Sequence, residues 1–163
     1  NMYYNSISIK SNKLFDYLTD LPYDTYNWTE HFGFEAVQLG LEWLEDEYAL
    51  KAIHNIYPIK QMGVLRVPPF FCYDWHVDDY RQSCINMLIS YGHISHCFFG
   101  KRLGPTGIGI NELKYQPYTY YLLNNQEIHS VINFDKPRYM FSLYFEEELE
   151  YKKLKQKLHP ILT

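Results

Sequence analysis

The chain has 163 residues and a formal charge of −4 at pH 7, with 47% hydrophobic and 18% aromatic residues. This length predicts one domain with enough chain to bury a core, and the apolar, aromatic composition excludes a disordered chain. The negative charge argues against nucleic-acid binding. Because the apolar runs are too short for a membrane span and no signal peptide opens the chain, we expect a cytoplasmic protein, in the host cytoplasm if viral.

The pattern of residues 1–58 predicts helices. Apolar Leu14, Phe15 and Leu18 indicate a first helix that ends near Pro22. A longer helix is predicted within residues 29–58, although its apolar positions fit a buried stripe only roughly. The acidic residues 45–47 are interpreted as the solvent face of that helix. We expect residues 1–58 to form a helical support for the remaining chain.

From about residue 60 the pattern changes to short β-rich runs separated by Gly, Pro, Asn and Asp. Roughly seven or eight such runs within residues 60–145 predict a jelly roll, the double-stranded β-helix of cupin-like proteins. Residues 146–163 return to a charged helical pattern. The predicted fold class is therefore α+β, mainly β: a single domain, residues 1–163, with N-terminal helices, a β-helix core and a C-terminal helix.

The stretch YDWHVDD places His76 and Asp78 two positions apart in a run that reads as a strand. Side chains at i and i+2 of a strand share a face, so both point into the predicted barrel. An unpaired carboxylate there is costly and requires a partner. His129, in the alternating run QEIHSVINF, fits best, because a jelly roll places its strand beside that of His76. Two histidines and one carboxylate form a facial triad suited to Fe(II).

Arg138 follows His129 by nine residues and opens the run RYMFSLYF. A guanidinium inside a jelly roll requires an anion, and its forked donors match a carboxylate. Alternation along a strand places Arg138, Met140 and Ser142 on one face, so the Ser142 hydroxyl is predicted to join the same anion.

The order His-x-Asp, then His, then Arg resembles the Fe(II)/2-oxoglutarate-dependent dioxygenases, especially prolyl hydroxylase and aspartyl/asparaginyl hydroxylase-like members. The stretches that carry the resemblance are HVDDYRQSCINMLI and HSVINFDKPRYMFSLYF. It implies that His76, Asp78 and His129 bind Fe(II) and form the catalytic centre, and that Arg138 holds the remote carboxylate of 2-oxoglutarate.

The resemblance also implies two further site residues and an activity. Asn86 is expected to face the cosubstrate, and Arg81 to touch substrate at the mouth of the site. The implied reaction hydroxylates an unactivated C–H bond of a small molecule or a peptidyl side chain. It consumes O2 and decarboxylates 2-oxoglutarate to succinate and CO2. An apolar lining from Met87, Leu88 and Phe98 is expected to protect the reaction. The sequence leaves the oligomeric state open.

Three other functions remain open at this level. A cupin-like metal enzyme that does not use 2-oxoglutarate would not need Arg138. A non-catalytic jelly-roll binding module would bind no iron, and a nucleic-acid dealkylase would need a basic stripe at the site entrance.

Several remaining motifs have simpler interpretations. His93 and His96 are interpreted as loop or substrate-rim residues rather than a second metal site. The three cysteines, Cys72, Cys84 and Cys97, lack a zinc-type spacing and are interpreted as core filler. The run GPTGIG at 104–109 is interpreted as a turn, and YQPYTYY at 115–121 as strand packing.

Overall fold

The computed structural model describes residues 1–31 and 33–163. The elements of the described chain, in order, are β1 (Tyr4–Ser6), α1 (Leu14–Thr19), β2 (Thr29–His31), β3 (Phe34–Leu39), α2 (Trp43–Asp46), α3 (Tyr48–Ile56), β4 (Ile59–Val67), β5 (Phe71–His76), β6 (Ser83–Leu88), β7 (Ser95–Arg102), β8 (Ile108–Glu112), β9 (Tyr121–Asn124), β10 (His129–Asn133), β11 (Arg138–Phe145) and α4 (Tyr151–Leu158). Short 3-10 helices cover Tyr23–Thr25 and His159–Ile161.

The strands form two antiparallel sheets. The larger sheet has the order β1-β9-β6-β11-β4-β3-β2, and the smaller has the order β5-β10-β7-β8. Consecutive strands alternate between the sheets in the core, so β4 and β6 lie in one sheet while β5 and β7 lie in the other. This crossing pattern is that of a double-stranded β-helix, and it confirms the predicted fold class.

Alternation along the central strands separates two apolar layers. Cys84, Leu88 and Met140 face the space between the two sheets. Their neighbours on the same strands, including Ile85 and Met87, face the other side and pack against the helices. Both faces of the larger sheet are therefore buried, which explains why β6 reads as a continuous apolar run rather than an alternating one.

The helix predicted within residues 29–58 is wrong in its first part. Residues Thr29–His31 and Phe34–Leu39 form an antiparallel hairpin, and β3 continues the larger sheet by pairing with β4. Val37 lies opposite Val64 in that pairing. A six-residue apolar segment is compatible with a helix or a strand. It forms a strand here because it pairs with the edge of β4. Within residues 29–58, the first helix begins at Trp43.

The interpretation of residues 45–47 as a solvent face is wrong for Glu47, whose exposed fraction is 0%. Its carboxylate accepts hydrogen bonds from the Ser11 hydroxyl (2.7 Å) and the Tyr120 phenol (2.9 Å). It also accepts the backbone N–H groups of residues 12–14 at 2.7–3.1 Å. These amides precede or open α1 and have no partner within the helix, so Glu47, the residue before α3, ties the start of α1 to α3 and to the loop before β9.

The remaining sequence predictions have mixed outcomes. α1, α4 and the β-rich runs after residue 60 lie where predicted. The turn predicted at residues 104–109 is confirmed only as far as Gly107, with Gly104 at φ +123°, because Ile108 and Gly109 belong to β8. Residues 115–120 form a loop rather than a strand, although Tyr115 and Tyr120 are buried. Cys84 and Cys97 are buried, but Cys72 is exposed. Within the described chain, every helix is too short or too polar to cross a membrane.

Candidate metal centre

Folding places His76, Asp78 and His129 together. β5 and β10 are antiparallel neighbours, and His76 lies directly opposite His129 in their register. Asp78 follows the end of β5, and its backbone N–H donates to the Asn125 carbonyl at 3.1 Å. This bond ties the residues after β5 to the loop that precedes β10. Two strand ends and one anchored loop therefore supply the three side chains.

The three side chains converge on one point. The Nε2 atoms of His76 and His129 lie 3.5 and 3.3 Å from Asp78 Oδ1. The two imidazole centroids are 4.3 Å apart, and one candidate ligand atom from each residue lies within 4.8 Å of the others. Among the described residues, one group of three or more His, Cys, Asp or Glu side chains could hold a metal ion, and it is this one.

The tautomer of each histidine follows from its second nitrogen. Nδ1 of His76 lies 2.6 Å from the Asp74 carbonyl, and Nδ1 of His129 lies 2.8 Å from the Glu127 carbonyl. A carbonyl oxygen only accepts, so both Nδ1 atoms carry the proton. In the neutral rings both Nε2 atoms then direct a lone pair at Asp78. Three acceptors facing one another repel, so the arrangement favours a cation: either a metal ion, or a proton on an imidazole, which then donates a hydrogen bond to Asp78.

The electrostatics of Asp78 agree with this requirement. Burial by itself raises the pKa of the Asp78 carboxyl, but hydrogen bonds from His129 and His76 and the charge of Arg81 outweigh it, and the net pKa lies below the usual range. For His76, burial lowers the pKa, but the hydrogen bond to Asp78 leaves it above the usual value. The carboxylate thus stays ionised and favours positive charge beside it.

Arg81 holds the other oxygen of the same carboxylate. Its Nη2 lies 3.6 Å from Asp78 Oδ2, and its Nη1 donates to the Ser142 hydroxyl at 3.0 Å. This clamp leaves Oδ1 free to face the two histidines. Ser142 lies opposite Asn86 in the pairing of β11 with β6, and both are buried in the space between the sheets. The predicted contacts of Asn86 and Ser142 with a cosubstrate, and of Arg81 with substrate, stay predictions.

Arg138 is buried in the same interior, with an exposed fraction of 5%. Its Nε has no hydrogen-bond partner, and no carboxylate among the described residues lies within ion-pair distance of it. The guanidinium carbon lies 5.7 Å from the ring centre of Tyr115. A buried guanidinium without an anion is unfavourable, so the site is suited to a bound oxyanion.

Sequence reasoning did not identify Tyr115 as a site residue. The structure buries this tyrosine beside Arg138, and burial together with the nearby Cys97 raises the pKa of its phenol well above the usual value, although Arg138 and a hydrogen bond with Asn86 oppose the rise. The phenol therefore stays protonated beside Arg138. It lies in a loop that packs back into the barrel, and no local sequence pattern distinguishes it from its neighbouring tyrosines.

The other predicted residues occupy different places. His96 lies 3.3 Å from the Glu112 carboxylate, and His93 Nε2 lies 3.1 Å from Asn133 Oδ1, so the structure does not bring the two histidines together. Of the expected lining residues, Leu88 faces the interior. Met87 packs on the helical side, and Phe98 lies between inward-facing neighbours on β7 and stacks on His96 instead. The expected lining is wrong for these two residues because alternation turns them outward.

No family model matches the chain, and no curated protein matches it. Solved structures with a similar fold do match it. A prolyl hydroxylase from Trichoplax adhaerens, in complex with a hypoxia inducible factor oxygen degradation domain peptide fragment, is 11% identical, with a TM-score of 0.65 over 96% of this chain and 87% of that one. A Pseudomonas putida prolyl-4-hydroxylase is 10% identical, with a TM-score of 0.61 over 90% and 94%.

The viral collagen prolyl hydroxylase of Paramecium Bursaria Chlorella virus-1, in a 2OG complex, is 13% identical, with a TM-score of 0.58 over 86% of this chain and 93% of that one. At these identities the likenesses show the fold alone. The chain therefore has the double-stranded β-helix fold of structural neighbours that are 2OG-Fe(II) oxygenases and prolyl hydroxylases, the superfamily that its His-x-Asp, His and Arg pattern resembles.

Proposed function

We propose that the protein is an Fe(II)- and 2-oxoglutarate-dependent dioxygenase that hydroxylates an unactivated C–H bond. The observation that carries the proposal is the convergence of two imidazoles and one carboxylate, with candidate ligand atoms within 4.8 Å of one another, in an interior that also holds an arginine without an anion. The first set favours a cation, and the arginine favours an anion. Fe(II) and 2-oxoglutarate together match both preferences.

His76, Asp78 and His129 are the residues that would hold Fe(II), each through one atom. Three ligands on one side leave positions for other molecules, which is the arrangement of non-haem iron oxygenases. When bound, Fe(II) with 2-oxoglutarate supplies the oxidising chemistry that activates O2. The backbone carbonyls of Asp74 and Glu127 orient the imidazoles, and Arg81 orients the carboxylate.

Arg138 would bind the distal carboxylate of 2-oxoglutarate through paired N–H donors. Asn86 and Ser142 offer polar atoms along the interior between this arginine and the metal ligands. Apolar side chains, among them Leu88 and Met140, surround that interior and exclude water. Excluding water strengthens the attraction between the guanidinium and the carboxylate.

The substrate class is a small molecule or a peptidyl side chain. The side chains of His76 and Asp78 keep exposed fractions of 24% and 21%, so the metal ligands lie at an open end of the barrel. An exposed side chain of a peptide can reach such a site without unfolding of either partner. The peptide complex of the Trichoplax adhaerens neighbour supports this class.

An anaerobic titration tests the proposal. Addition of Fe(II) and then 2-oxoglutarate to the protein should produce a visible metal-to-ligand charge-transfer band that neither addition produces alone. Arg138→Ala should raise the 2-oxoglutarate concentration for half-saturation by about 30-fold or more, the loss expected for a charge-assisted bidentate contact. Arg102→Ala is the matched control, because Arg102 is an exposed arginine on β7.

Two results would contradict the proposal. One is the absence of the band in a protein that binds Fe(II), which would favour a metal enzyme that does not use 2-oxoglutarate. The other is an equal response of the Arg138 and Arg102 variants. If the titration supports the proposal, succinate formation in air, measured with candidate peptides and amino acids, identifies the substrate.

A further inference from the structure

The two sheets of the described chain have four edge strands, β1, β2, β5 and β8. β1 and β2 have three residues each, and β5 pairs with β10 through an irregular register. β8 has five residues in a regular register, without lysine or proline. Short length, bulges, lysine and proline are the features by which proteins keep edge strands from pairing with other chains. β8 is therefore the edge that is best suited to accept a further strand.

The backbone groups of β8 that face away from β7 follow from the hydrogen-bond pattern. The Leu113 N–H donates to the Cys97 carbonyl at 2.9 Å. Because every second residue of an antiparallel strand bonds to the same neighbour, Ile108, Ile110 and Glu112 direct their N–H and C=O groups away from β7. In the described chain β8 pairs with β7 alone, so these groups have no strand partner.

The outer face of β7 and β8 carries apolar side chains beside this edge. Phe99 lies in the cluster between the two sheets, so alternation places Gly100 and its partner Ile110 on the outer face. Trp75 and Ile108 pack so closely over Gly100 that a side chain there would collide with both. Ile110 is 62% exposed. A further strand along β8 would extend this apolar surface across Ile110.

A second copy of the chain fits this edge through a two-fold axis at Ile110. Two antiparallel β8 strands that place Ile110 opposite the partner's Ile110 also place Ile108 opposite the partner's Glu112. All the residues paired in this way direct their N–H and C=O groups away from β7, so hydrogen bonds form at each of the three positions. The register that centres the two strands on each other is thus also the register that satisfies their free backbone groups.

The charges on the outer face are complementary in the same register. Arg102 lies opposite Ile108, and Glu112 lies opposite Phe98. In the paired copies, the partner's Glu112 lies beyond Ile108 in the row that begins with Arg102, two strand spacings or roughly 10 Å away. Both side chains are long enough to meet across Ile108, and the two-fold axis forms this ion pair twice. Glu112 already lies on this face in its own chain, where it contacts His96 at 3.3 Å.

We propose that the protein forms a dimer in which the β8 strands of two copies pair antiparallel and join the two smaller sheets into one. Such an isologous contact closes after two copies and does not propagate into fibres. A strand from an unrelated partner would also satisfy the backbone, but the match of Arg102 to the partner's Glu112 favours a second copy. Antiparallel pairing directs the metal centres of the two barrels towards opposite ends, so the dimer leaves both accessible.

Sedimentation velocity of the full chain tests the dimer. The sedimentation coefficient should rise with concentration over roughly 1–200 µM, the range of a weak interface of small area. Ile110→Lys places a charge at the centre of the contact and should raise the dissociation constant by at least about tenfold. Ile94→Lys is the matched control, because Ile94 is 61% exposed and lies outside β8, and it should associate as the parent does.

Charge reversal tests which edges pair. Arg102→Glu places two carboxylates in each row, and Glu112→Arg places two guanidinium groups there. Each variant alone should therefore have a dissociation constant about tenfold above that of the parent. An equimolar mixture of the two variants should recover association, because each row of the mixed dimer again pairs a carboxylate with a guanidinium group.

Three results would overturn the proposal: a sedimentation coefficient that does not change with concentration, dimers that are insensitive to Ile110→Lys, and a mixture that associates no better than either variant alone. Amide exchange measured by nuclear magnetic resonance locates the contact, since the N–H groups of Ile108, Ile110 and Glu112 should exchange more slowly as the concentration rises. These experiments use the metal-free protein without 2-oxoglutarate, so their outcome is independent of the proposed function.

Discussion

Glu47 and Asp78 are two carboxylates that lie among converging polar groups, and their surroundings are opposite. Glu47 is fully buried and accepts five hydrogen bonds from fixed N–H and O–H donors. Asp78 faces the Nε2 atoms of two histidines and one arginine. The first carboxylate has all the donors that it can use, whereas the second lacks positive charge at Oδ1. The comparison distinguishes a structural carboxylate from a candidate metal ligand.

Access to solvent separates the two carboxylates further. Glu47 has an exposed fraction of 0%, whereas the Asp78 side chain retains 21%. A metal ion from solution can reach only the second. The charge on Glu47 is balanced by backbone and hydroxyl dipoles that folding brings together, whereas Asp78 has Arg81 beside Oδ2 and two imidazoles beside Oδ1.

The largest expected effect is on the stability of the Glu47→Ala variant. Removal of the carboxylate leaves buried donors of residues 11–14 and Tyr120 without an acceptor, so the free energy of unfolding should fall by about 3–5 kcal/mol. Urea denaturation followed by circular dichroism measures this loss. Glu45→Ala, at an exposed position with only a surface ion pair to Lys51, should change stability by less than about 0.5 kcal/mol. Equal losses of stability in the two variants would contradict the structural role of Glu47.

Asp78→Ala should lower the affinity for metal more than the stability of the fold. Metal affinity should fall by at least about 100-fold, because even the loss of an outer partner of a metal ligand costs up to that much. Stability without metal should fall by much less than in Glu47→Ala, because the Asp78 carboxylate is one-fifth exposed and accepts no backbone N–H. Calorimetric titration with Fe(II) or Co(II) measures the affinity. Asp79→Ala is the control, because Asp79 is exposed. A large loss of stability would make Asp78 structural.

A smaller effect is expected at Arg81, which positions Asp78 through Oδ2. Arg81→Ala should weaken metal binding by about tenfold. Arg81→Lys should recover part of the loss, because it keeps the charge without the forked donors that reach both Asp78 and Ser142. The Co(II) absorption spectrum should also change in the alanine variant if the carboxylate is free to bind through both oxygens. Unchanged spectra in both variants would contradict a positioning role.

The smallest effect concerns the pH dependence of stability at Tyr120. Burial, and then the charge of Glu47, raise the pKa of the Tyr120 phenol well above the usual value. The folded protein therefore retains this proton while the unfolded chain loses it near pH 10, so stability falls as the pH rises above 10. Tyr120→Phe should lose about 1 kcal/mol at neutral pH and show a shallower decline in alkali.

Urea midpoints between pH 8 and 11 measure this decline. Tyr80→Phe is the matched control, because Tyr80 is 85% exposed. An identical pH profile for the Tyr120 variant and the parent would show that Glu47 and the buried phenol do not act together.

Much of the fold and of the candidate site was predictable from local patterns. Short apolar runs between turn residues marked the strands from β4 onward, since strand period and turn chemistry are local properties. His76, Asp78, His129 and Arg138 could be selected because charged or metal-binding side chains in such runs need compensation. The pairing of His76 with His129 followed from jelly-roll connectivity.

Residues whose environment comes from distant segments were predicted poorly. Residues 34–39 were assigned to a helix because the β4 edge that pairs with them lies about 25 residues later. Glu47 was placed in solvent because its donors lie more than 30 residues away, on both sides in the sequence. Tyr115 was interpreted as strand packing, yet its loop carries it to Arg138.

By itself the sequence determined that Asp78 and Arg138 had to be compensated, because the cost of burying a charge depends on the residue and on the strand pattern around it. Tertiary structure alone decided which groups surround each of them, two imidazoles and Arg81 for Asp78 and the Tyr115 ring for Arg138, and it alone buried Glu47 among five donors. The physical reason is that hydrogen bonds and charge pairs act over a few ångströms, whereas the groups that form them here are separated by tens of residues of chain.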